Sequence, residues 1–363
     1  MSSEIGKHVR ISLFGESHGS AVGVVIYGLP AGEDLDMEEI QCQMNRRAPG
    51  RDKSATPRRE ADTPEILSGF HQKKTTGTPL CAIIQNTDAR SGDYAAFSRT
   101  PRPGHADYTG AVRYGGHGDT RGGGHFSGRL TASMVFAGAV CRQILSRRGV
   151  TIGGHVHSIG SVSDTPFDPV RLSAAELTTL SQRSFPVVCA QAEAAMREEI
   201  ETARRAQDSV GGIVEAAAIG LPAGLGTPMF DGVENVLTAV IFGIPAVKGV
   251  EFGAGFAAAG QRGSVHNDPF CYDARGCVAT ATNNHGGILG GITSGMPLVL
   301  RAAIKPTPSI GMVQRTVDLK KGTAAKLTIE GRHDPCIVPR AVPVVESAMA
   351  VGLLDLMRER EGL

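Results

Sequence analysis

Histidine, arginine and glycine are concentrated in one stretch of the chain, from Arg102 to Arg129. Its 28 residues include nine glycines, four arginines and three histidines. Arginine presents a planar fork of N–H donors that fits phosphates and carboxylates, and histidine transfers protons near neutral pH. Glycine lets the backbone adopt a positive φ or approach a ligand closely. The stretch is therefore predicted to be a long, ordered loop that binds anions. The alternative is a flexible linker, although linkers are usually rich in serine and seldom carry this much Arg and His.

Other polar loops flanked by glycine or proline lie at the ends of predicted strands or the starts of predicted helices. They are GESHG (Gly15–Gly19), Arg46–Arg59, NNHGG (Asn283–Gly287), KPTPS (Lys305–Ser309) and GRHDPC (Gly331–Cys336). The second of them holds six basic residues, and a solvated charged turn is an equal alternative there. Each histidine on its own is more often structural than catalytic. Together the loops predict a pocket for phosphates, carboxylates or both.

Rival motifs lack their structural context. GAGFAA at Gly253–Ala258 matches a dinucleotide fingerprint, but Gly260 and Gly263 follow at once and oppose the helix that this motif needs. The chain contains neither GxxxxGK[ST] nor GxSxG. His155 and His157 form an HxH pair on one predicted strand, with no third ligand evident from the sequence. No metal site is therefore expected.

Composition excludes several classes of protein. The 363 residues are 41% hydrophobic and 20% charged with a net charge of +1, so any basic site must be local. Aromatic residues are 5% and tryptophan is absent, which disfavours base stacking on single-stranded nucleic acid. The seven cysteines are scattered without a CxxC, as is typical of reduced thiols in the cytoplasm. We expect neither a signal peptide nor a membrane span.

Periodicity predicts one domain, residues 1–363, of mixed strands and helices. Predicted strands lie near 8–14, 21–27, 80–85, 150–158, 210–219, 297–304 and 325–330; predicted helices lie near 37–47, 130–148, 174–183, 189–207, 232–242 and 341–360. Capping boxes begin two helices, at Asp36/Glu39 and at Ser173/Glu176. The helix at 130–148 is apolar on more than one face and is predicted to be buried between layers, with Gly149 ending it. The pentapeptide GLPAG follows a strand twice, at 28–32 and 220–224, which suggests an internal pseudo-duplication, with coincidence as the alternative.

These motifs carry a resemblance that runs nearly from end to end. The chain resembles the chorismate synthase family in several blocks that keep the family order. The blocks are FGESHG (14–19), RRAPGR (46–51), RPGHADYT (102–109), RGGG (121–124), AVKGVEFG (246–253), GGILGGITSG (286–295), KPTPS (305–309), and GRHDPC (331–336) followed by RAVPVVE.

The resemblance implies a fold and a reaction. The fold class is α+β, a β-α-β sandwich with helices packed between antiparallel sheets, assembled as a homotetramer. The reaction belongs to the shikimate pathway of aromatic amino acid biosynthesis. It converts 5-enolpyruvylshikimate 3-phosphate into chorismate and phosphate by anti-1,4-elimination. Reduced FMN is required although no net redox change occurs. We expect a monofunctional cytoplasmic enzyme that takes its reduced flavin from an external source.

The resemblance also assigns roles to residues of this chain. His18 matches the histidine that assists phosphate departure, His105 the one that donates to reduced flavin, and Asp334 the acid involved in removing the C6 hydrogen. The implied flavin contacts are His125, Phe126, Ser127, Pro245, Ala246, Gly290, Lys305, Pro306, Thr307, Pro308, Ser309 and Arg332. Contacts to substrate or to an NADP-type nucleotide fall on Arg47 and Lys53. Further candidates for anion contacts, with surface roles as the alternative, are Arg102, Arg121, Arg129 and Arg340.

The chain departs from the usual family pattern at His125, Phe126, Pro245 and Lys53. These differences put side-chain contacts to flavin at 125, 126 and 245 in question, although backbone groups can serve there. Two other functions stay open at this point. One is a flavin- or phosphate-binding protein of the same fold without the elimination activity. The other is an NAD(P)-dependent dehydrogenase, which rests on Gly253–Ala258 alone.

Overall fold

The computed structural model describes residues 3–50, 61–87, 97, 99–329 and 334–362. Helices are α1 Met37–Arg47, α2 Asp107–Arg113, α3 Thr131–Arg147, α4 Ala174–Ser181, α5 Ala190–Arg205, α6 Val233–Phe242, α7 Gly263–His266 and α8 Val338–Arg360. Strands are β1 Glu4–Ile5, β2 Arg10–Gly15, β3 Ala21–Tyr27, β4 Pro64–Ser68, β5 Phe70–His71, β6 Lys74–Thr75, β7 Leu80–Gln85, β8 Thr151–Ile159, β9 Val162–Ser163, β10 Gly212–Ile219, β11 Val247–Phe252, β12 Phe270–Tyr272, β13 Val278–Thr280, β14 Ile288–Leu289, β15 Ile292–Thr293, β16 Leu298–Ile304, β17 Gln314–Asp318 and β18 Thr323–Leu327. Short 3₁₀ turns occupy Arg121–Phe126, Gly128–Leu130 and Gly255–Gly260.

Two five-stranded antiparallel sheets form the frame. The first has the order β1-β2-β3-β7-β4 and the second the order β11-β16-β10-β8-β9. The predicted mixture of strands and helices is confirmed, and the fold class is α+β. None of the described helices combines the length and apolar character needed to cross a membrane.

Helices α3 and α8 form the largest helix–helix contact of the core and connect the two sheets. They pack against each other, α3 also contacts β2, β3 and β7 of the first sheet, and α8 contacts β8, β10 and β16 of the second. Most residues of both helices are buried, so neither has a polar face. The helices approach closely at Gly138, where a Cβ atom would lie 2.2 Å from the Cβ of Ser347. The predicted burial of the helix at 130–148 is confirmed.

Local sequence signals begin the helices where they were predicted. The Asp36 carboxylate accepts from the backbone N–H groups of Glu38 and Glu39 and so caps α1. Ser173 and Glu176 form the reciprocal capping box of α4. Gly149, with φ +81°, follows α3 as predicted.

The two GLPAG turns have matching backbone geometry. Gly28 follows β3 with φ +78°, and a Cβ there would lie 1.7 Å from the carbonyl oxygen of His8. Gly220 follows β10 with φ +80°, and a Cβ there would lie 2.1 Å from the carbonyl oxygen of Gly149. His8 and Gly149 each lie two residues before the strand that pairs with the one ending in GLPAG. Only glycine fits either position.

A threonine hydroxyl closes each of these turns in the same way. The Oγ1 of Thr75 donates to the carbonyl of Pro30 at 2.5 Å, and the Oγ1 of Thr293 donates to the carbonyl of Pro222 at 2.7 Å. Each threonine belongs to a two-stranded hairpin, β5–β6 in one half and β14–β15 in the other. Four strands of each sheet also have matching chain order and neighbours, β2-β3-β7-β4 in the first sheet and β8-β10-β16-β11 in the second.

Some predicted loops contain regular structure. The Arg102–Arg129 stretch was predicted to lack its own secondary structure, but it contains α2 and a 3₁₀ turn. That prediction was wrong because α2 buries only Asp107 and Gly110 and so shows no apolar stripe. No strand or helix was predicted between residues 242 and 297, where the structure contains among other elements α7 and the hairpin β12–β13. GAGFAA follows β11, but β11 pairs antiparallel with β16, so the parallel βαβ unit of a dinucleotide fingerprint is missing at this motif.

A ladder of charged side chains crosses the second sheet. Glu251, Arg301, Glu215 and His155 lie opposite one another on β11, β16, β10 and β8. Glu215 accepts from the Nε of Arg301 at 2.9 Å and contacts the Nε2 of His155 at 2.9 Å. The Nδ1 of His155 lies 3.0 Å from Asp164, and the His155 side chain is fully buried. Burial by itself lowers the pKa of His155, but hydrogen bonds to the carboxylates of Asp164 and Glu215 outweigh burial and raise that pKa.

This ladder also bears on the HxH pair. Glu215 brings a carboxylate oxygen within 4.8 Å of ring nitrogens of His155 and His157. The sequence analysis found no third ligand for the HxH pair, and this carboxylate lies beside both histidines. Both ring nitrogens of His155 already contact carboxylates. The charged ladder accounts for His155 without an ion.

We predict that replacing His155 weakens the fold in a pH-dependent way. The folded chain holds the His155 proton more tightly than the unfolded chain. This contribution to stability is therefore complete below the unfolded pKa, near 6.5, and is lost as the pH rises through the raised folded value. His155→Gln should lower the free energy of unfolding by about 3 kcal/mol at pH 6, because it removes the buried cation that lies between the carboxylates of Asp164 and Glu215. The deficit should shrink towards pH 9 in urea unfolding followed by circular dichroism.

His71→Gln makes the same change at an exposed histidine on β5 and should leave the pH profile unchanged. A deficit for His155→Gln that stays constant from pH 6 to pH 9 would show that His155 is not held as a cation.

Candidate active site

One cavity of about 770 Å³ lies where β2, the glycine-rich stretch, the start of α3, the end of α6 and the start of α8 converge. That volume suits a cofactor and a small substrate. Most of the site residues expected from the sequence line it. These are His18, Arg47, Arg102, His105, His125, Phe126, Ser127, Arg129, Pro245, Ala246, Lys305, Thr307, Pro308, Ser309, Asp334 and Arg340.

Five of the expected site residues are not among those lining the cavity. Lys53 and Arg332 lie outside the described residues. Pro306 lies between lining residues, and Arg121 points to the surface, where its Nη2 pairs with Asp119 at 2.7 Å. Gly290 lies in the turn between β14 and β15, which packs on the first residues of α6, whereas the cavity touches the last ones. A ten-residue helix is roughly 15 Å long, so this chain's Gly290 is far from the cavity.

Three consecutive glycines separate the two predicted catalytic histidines. Gly122 has φ +60°, and a Cβ there would lie 2.4 Å from the Cδ2 of His18. Gly123 has φ +86°, and a Cβ there would lie 3.1 Å from the Nε2 of His105. The backbone N–H of Ser17 donates to the carbonyl of Gly124 at 3.1 Å, which ties the GESHG turn to the glycines. The bare backbone thus packs against His18 on one side and His105 on the other.

His105 belongs to a buried cluster with Arg102 and Asp107. The Nδ1 of His105 lies 2.6 Å from the Oδ1 of Asp107. Arg102 donates from Nε at 2.8 Å and from Nη2 at 2.7 Å to the same carboxylate. Burial by itself raises the pKa of Asp107, but the hydrogen bonds from Arg102 and His105 outweigh it and hold that pKa well below its usual range.

Asp334 is fixed from two sides. Its carboxylate accepts from the Nη1 of Arg340 at 2.8 Å, and its backbone carbonyl accepts from the Oγ1 of Thr307 at 2.8 Å. Arg340 also donates from Nε to the carbonyl of Arg47 at 3.0 Å. The start of α8 therefore holds Asp334 against the KPTPS segment and the end of α1.

A buried carboxylate that the sequence analysis missed joins two of the arginines. Asp62 accepts from the Nη1 of Arg47 at 2.6 Å and from the Nη1 of Arg129, and its side chain is fully buried. Burial raises the pKa of Asp62, but the two guanidinium groups outweigh it and lower that pKa below its usual value. Asp62 follows the basic segment directly, and no pattern in ADTP marks it. An acid that pairs with two arginines is recognisable only once the fold brings them together.

The KPTPS segment forms another part of the wall. Lys305 donates from Nζ to the carbonyl of Gly104, and its backbone N–H donates to the carbonyl of Ala246 at 2.9 Å. Burial lowers the pKa of Lys305, and the nearby charge of Lys248 acts in the same direction. Ala246 has φ +78°, a strained value for a residue with a side chain. Ser309 accepts from the Nη1 of Arg102 at 3.2 Å.

His125 and Phe126 mainly hold the wall of the cavity together. A carbonyl oxygen only accepts, so the Nδ1 of His125 donates to Gly15 at 2.9 Å, while Nε2 pairs with the hydroxyl of Ser3 at 2.7 Å. The ring of Phe126 covers Gly110 of α2, where a Cβ would lie 2.7 Å from the ring. Both ring nitrogens of His125 therefore have partners within the chain.

The electrostatics of the lining favour an anionic ligand. Among the described residues, five cationic side chains line the cavity, Arg47, Arg102, Arg129, Lys305 and Arg340. Two acidic side chains from the same part of the chain line it, Glu4 and Asp334, each with an arginine partner. This excess of positive charge, together with His18, His105 and Asp334, can bind phosphate or carboxylate groups and exchange protons with them.

Comparison with known proteins agrees along nearly the whole chain. Residues 9–357 match the family model described as chorismate synthase. The chorismate synthase of Thermococcus kodakarensis is 49% identical over 356 residues, which cover 98% of each chain. That of Methanosarcina acetivorans is 49% identical over 354 residues, 97% of this chain and 95% of the relative. That of Dehalococcoides mccartyi is 47% identical over 356 residues, 98% and 96%.

A solved structure is similar as well. A crystal structure of a chorismate synthase superposes with a TM-score of 0.77 at 28% identity, covering 99% of this chain and 94% of the other. With the family model matched from residue 9 to 357, these likenesses show that the chain belongs to the chorismate synthase family, whose members are lyases.

Proposed function

We propose that the chain converts 5-enolpyruvylshikimate 3-phosphate into chorismate and inorganic phosphate by anti-1,4-elimination. The observation that carries the proposal is the meeting of His18, His105 and Asp334 in one cavity that has an excess of cationic side chains. The substrate has one phosphate and two carboxylates, and the lining offers arginine and lysine donors to such groups. Family membership gives this proposal precedence over a dehydrogenase.

The elimination breaks two bonds and needs stabilisation of charge at one of them. The C–O bond to phosphate breaks with its electron pair on the leaving group, and the C6–H bond breaks to leave a second ring double bond. Cations fixed in a buried site stabilise the charge that develops on phosphate. His18, 8% exposed, is the residue that we assign to phosphate departure. Asp334, held by Arg340, is the acid that we assign to removal of the C6 hydrogen.

The cavity fits reduced FMN together with the substrate. Its apolar part includes Ile11, Leu13, Met134, Val240 and Ile244, which suits a planar ring system. Its polar part includes Lys305, Thr307 and Ser309, which suit a phosphate. We assign these residues, with the backbone of Ser127, Pro245 and Ala246, to holding the cofactor. If reduced FMN were bound by these residues, it would supply electron density transiently for the departure of phosphate, with no net redox change.

The arginines divide into two groups in this proposal. Arg47 donates to Thr131 at 3.1 Å, to Asp62 at 2.6 Å and to the carbonyl of Gly128 at 3.0 Å, so it fixes the wall as well as offering charge. Arg47 and Lys53 remain the residues that we assign to an NADP-type or substrate anion. Arg102, Arg129 and Arg340 add positive charge beside them. Arg121 and Gly290 do not line the cavity, so we assign neither of them a ligand contact inside it.

The wider setting is proposed on the same family basis. We propose a single domain with a β-α-β sandwich, a homotetramer in the cytoplasm, and an external source of reduced FMN. A hydrophobic cluster whose members run from Val9 to Leu356 supports a single domain. Seven free cysteines support a reducing compartment.

We also propose that the two halves of the fold arose by duplication. The matched GLPAG turns, threonine contacts and strand orders support this. In an experimental structure, β2-β3-β7-β4 should then superpose on β8-β10-β16-β11.

The proposed reaction is tested by an anaerobic assay. The purified chain is mixed with chemically reduced FMN and 5-enolpyruvylshikimate 3-phosphate, and chorismate absorbance and released phosphate are followed together. We expect both products in equal amounts, and neither with oxidised FMN. Flavin binding without product would favour the binding-protein alternative. Oxidation of NAD(P)H without added flavin would favour the dehydrogenase.

We predict that His105→Ala and Asp334→Ala each lower kcat by roughly 10²-fold or more, as expected for positioned acid–base groups. His117→Ala removes an exposed histidine from the same glycine-rich stretch and serves as the matched control. Initial rates of chorismate formation at saturating FMN measure the effect. Wild-type turnover in either of the first two variants, with normal circular dichroism, would remove that residue from the mechanism.

A further inference from the structure

We propose that Asp107 is the positioning residue of His105, fixing its ring orientation and keeping the hydrogen on Nδ1 so that Nε2 is the nitrogen presented to bound ligands. The inference rests on the proposed function, in which His105 is a positioned acid–base group of the cavity, and it adds a residue to that group. Asp107 opens α2, two positions after His105 in the chain, and its side chain is 3% exposed.

The hydrogen-bond partners determine which nitrogen carries the hydrogen. The carboxylate of Asp107 is ionised, because the Arg102 guanidinium and His105 hold its pKa well below the usual range against the effect of burial. An ionised carboxylate only accepts, so the Nδ1 of His105, 2.6 Å from Oδ1, must donate. Arg102 only donates, and its Nη2 lies 3.1 Å and 3.3 Å from the two ring nitrogens. Nε2 therefore remains as the nitrogen that can accept from Arg102 or exchange a proton with a ligand.

The surroundings leave the ring little freedom. Asp107 also accepts from the backbone N–H of Arg102 at 3.0 Å, which closes the loop that carries His105. A Cβ at Gly123 would lie 3.1 Å from Nε2, so the backbone passes close to the ring there and only the lack of a side chain leaves Nε2 uncrowded. The His105 side chain is 16% exposed. A ring flip would place a carbon atom against the Asp107 carboxylate and lose a charge-assisted hydrogen bond.

A second aspartate–arginine pair, Asp318 with Arg99, provides a control for the effect of simply losing the support of an arginine. Asp318 accepts from the Nε of Arg99 at 2.9 Å and from its Nη2 at 2.7 Å, the same forked geometry as Arg102 with Asp107. Asp318 does not line the cavity. Asp318→Asn is therefore a matched control for Asp107→Asn that spares the proposed site.

The test combines kinetics with the tautomer of His105. Asp107→Asn should lower kcat on the order of 10²-fold while the KM for the enolpyruvyl substrate changes less than about threefold, because the histidine is misoriented but still present. Nitrogen-15 NMR of histidine-labelled protein should show hydrogen mainly on Nδ1 of His105 in the wild type, and a mixture of tautomers in Asp107→Asn. Asp107→Glu, which keeps the carboxylate, should recover part of kcat and the Nδ1–H signal. Asp318→Asn should resemble the wild type in both measurements.

A double-mutant cycle decides between positioning and structural support. In a His105→Gln background, adding Asp107→Asn should cost less than about threefold in kcat, because Asp107 then has no histidine to position. The full loss in that background, or an unchanged tautomer in Asp107→Asn, would overturn the inference. If Asp107→Asn does not fold, Asp107→Glu carries the same cycle. If His105→Gln alone keeps wild-type turnover, the proposed role of His105 fails, an outcome distinct from failure of the positioning inference.

Discussion

The buried carboxylate of Asp62 is the interaction on which the cavity depends. It pairs with Arg47 at the end of α1 and with Arg129 just before α3. Arg129 in turn donates to Asn86 at 2.8 Å and to the carbonyl of Gln85 at 3.0 Å, which brings in the end of β7. Losing one partner of such a buried pair typically costs 3–5 kcal/mol, because the remaining charge is stranded. One carboxylate thus offsets the repulsion between two arginines that link the end of α1, the start of α3 and the end of β7.

The same arrangement leaves the cavity positively charged. Asp62 supplies one negative charge for two arginines, and Arg340 lies close enough to lower the pKa of Arg47 together with burial. The positive charge of both residues lies at the cavity wall, since Arg47 and Arg129 line it. A ligand with several negative charges is therefore stabilised there, although the whole chain has a net charge of only +1. An arginine need not be free to favour an anion, because a fixed cation acts at a distance in a site of low dielectric constant.

Sequence patterns predicted the elements that are defined by burial, and missed those defined by contacts. The helix α3 was found because apolar residues cover all its faces, and α4 because Ser173 and Glu176 cap it. The hairpins β5–β6 and β14–β15 consist of two-residue strands, which are too short to show a period of two. Most site residues were found through motif blocks. Asp62 was missed because its partners are distant in sequence. Asp107 lies within RPGHADYT, so its spacing from Arg102 and His105 can be read directly from the sequence.

The glycines at 122–124 show why the glycine-rich stretch needs its composition. A linker needs glycine for freedom, but here each glycine has positive φ and a fixed neighbour. A Cβ at Gly122 would collide with His18, and one at Gly124 would lie 1.9 Å from the carbonyl oxygen of Asp119. A Cβ at Gly123 would lie 3.1 Å from the Nε2 of His105, which is short but tolerable. His105 therefore leaves more room for a side chain at 123 than His18 leaves at 122. An alanine at Gly122 would press directly on His18, whereas one at Gly123 would act on the ring that Asp107 fixes. The glycines therefore serve to bring both histidines to one cavity with only the bare backbone between them.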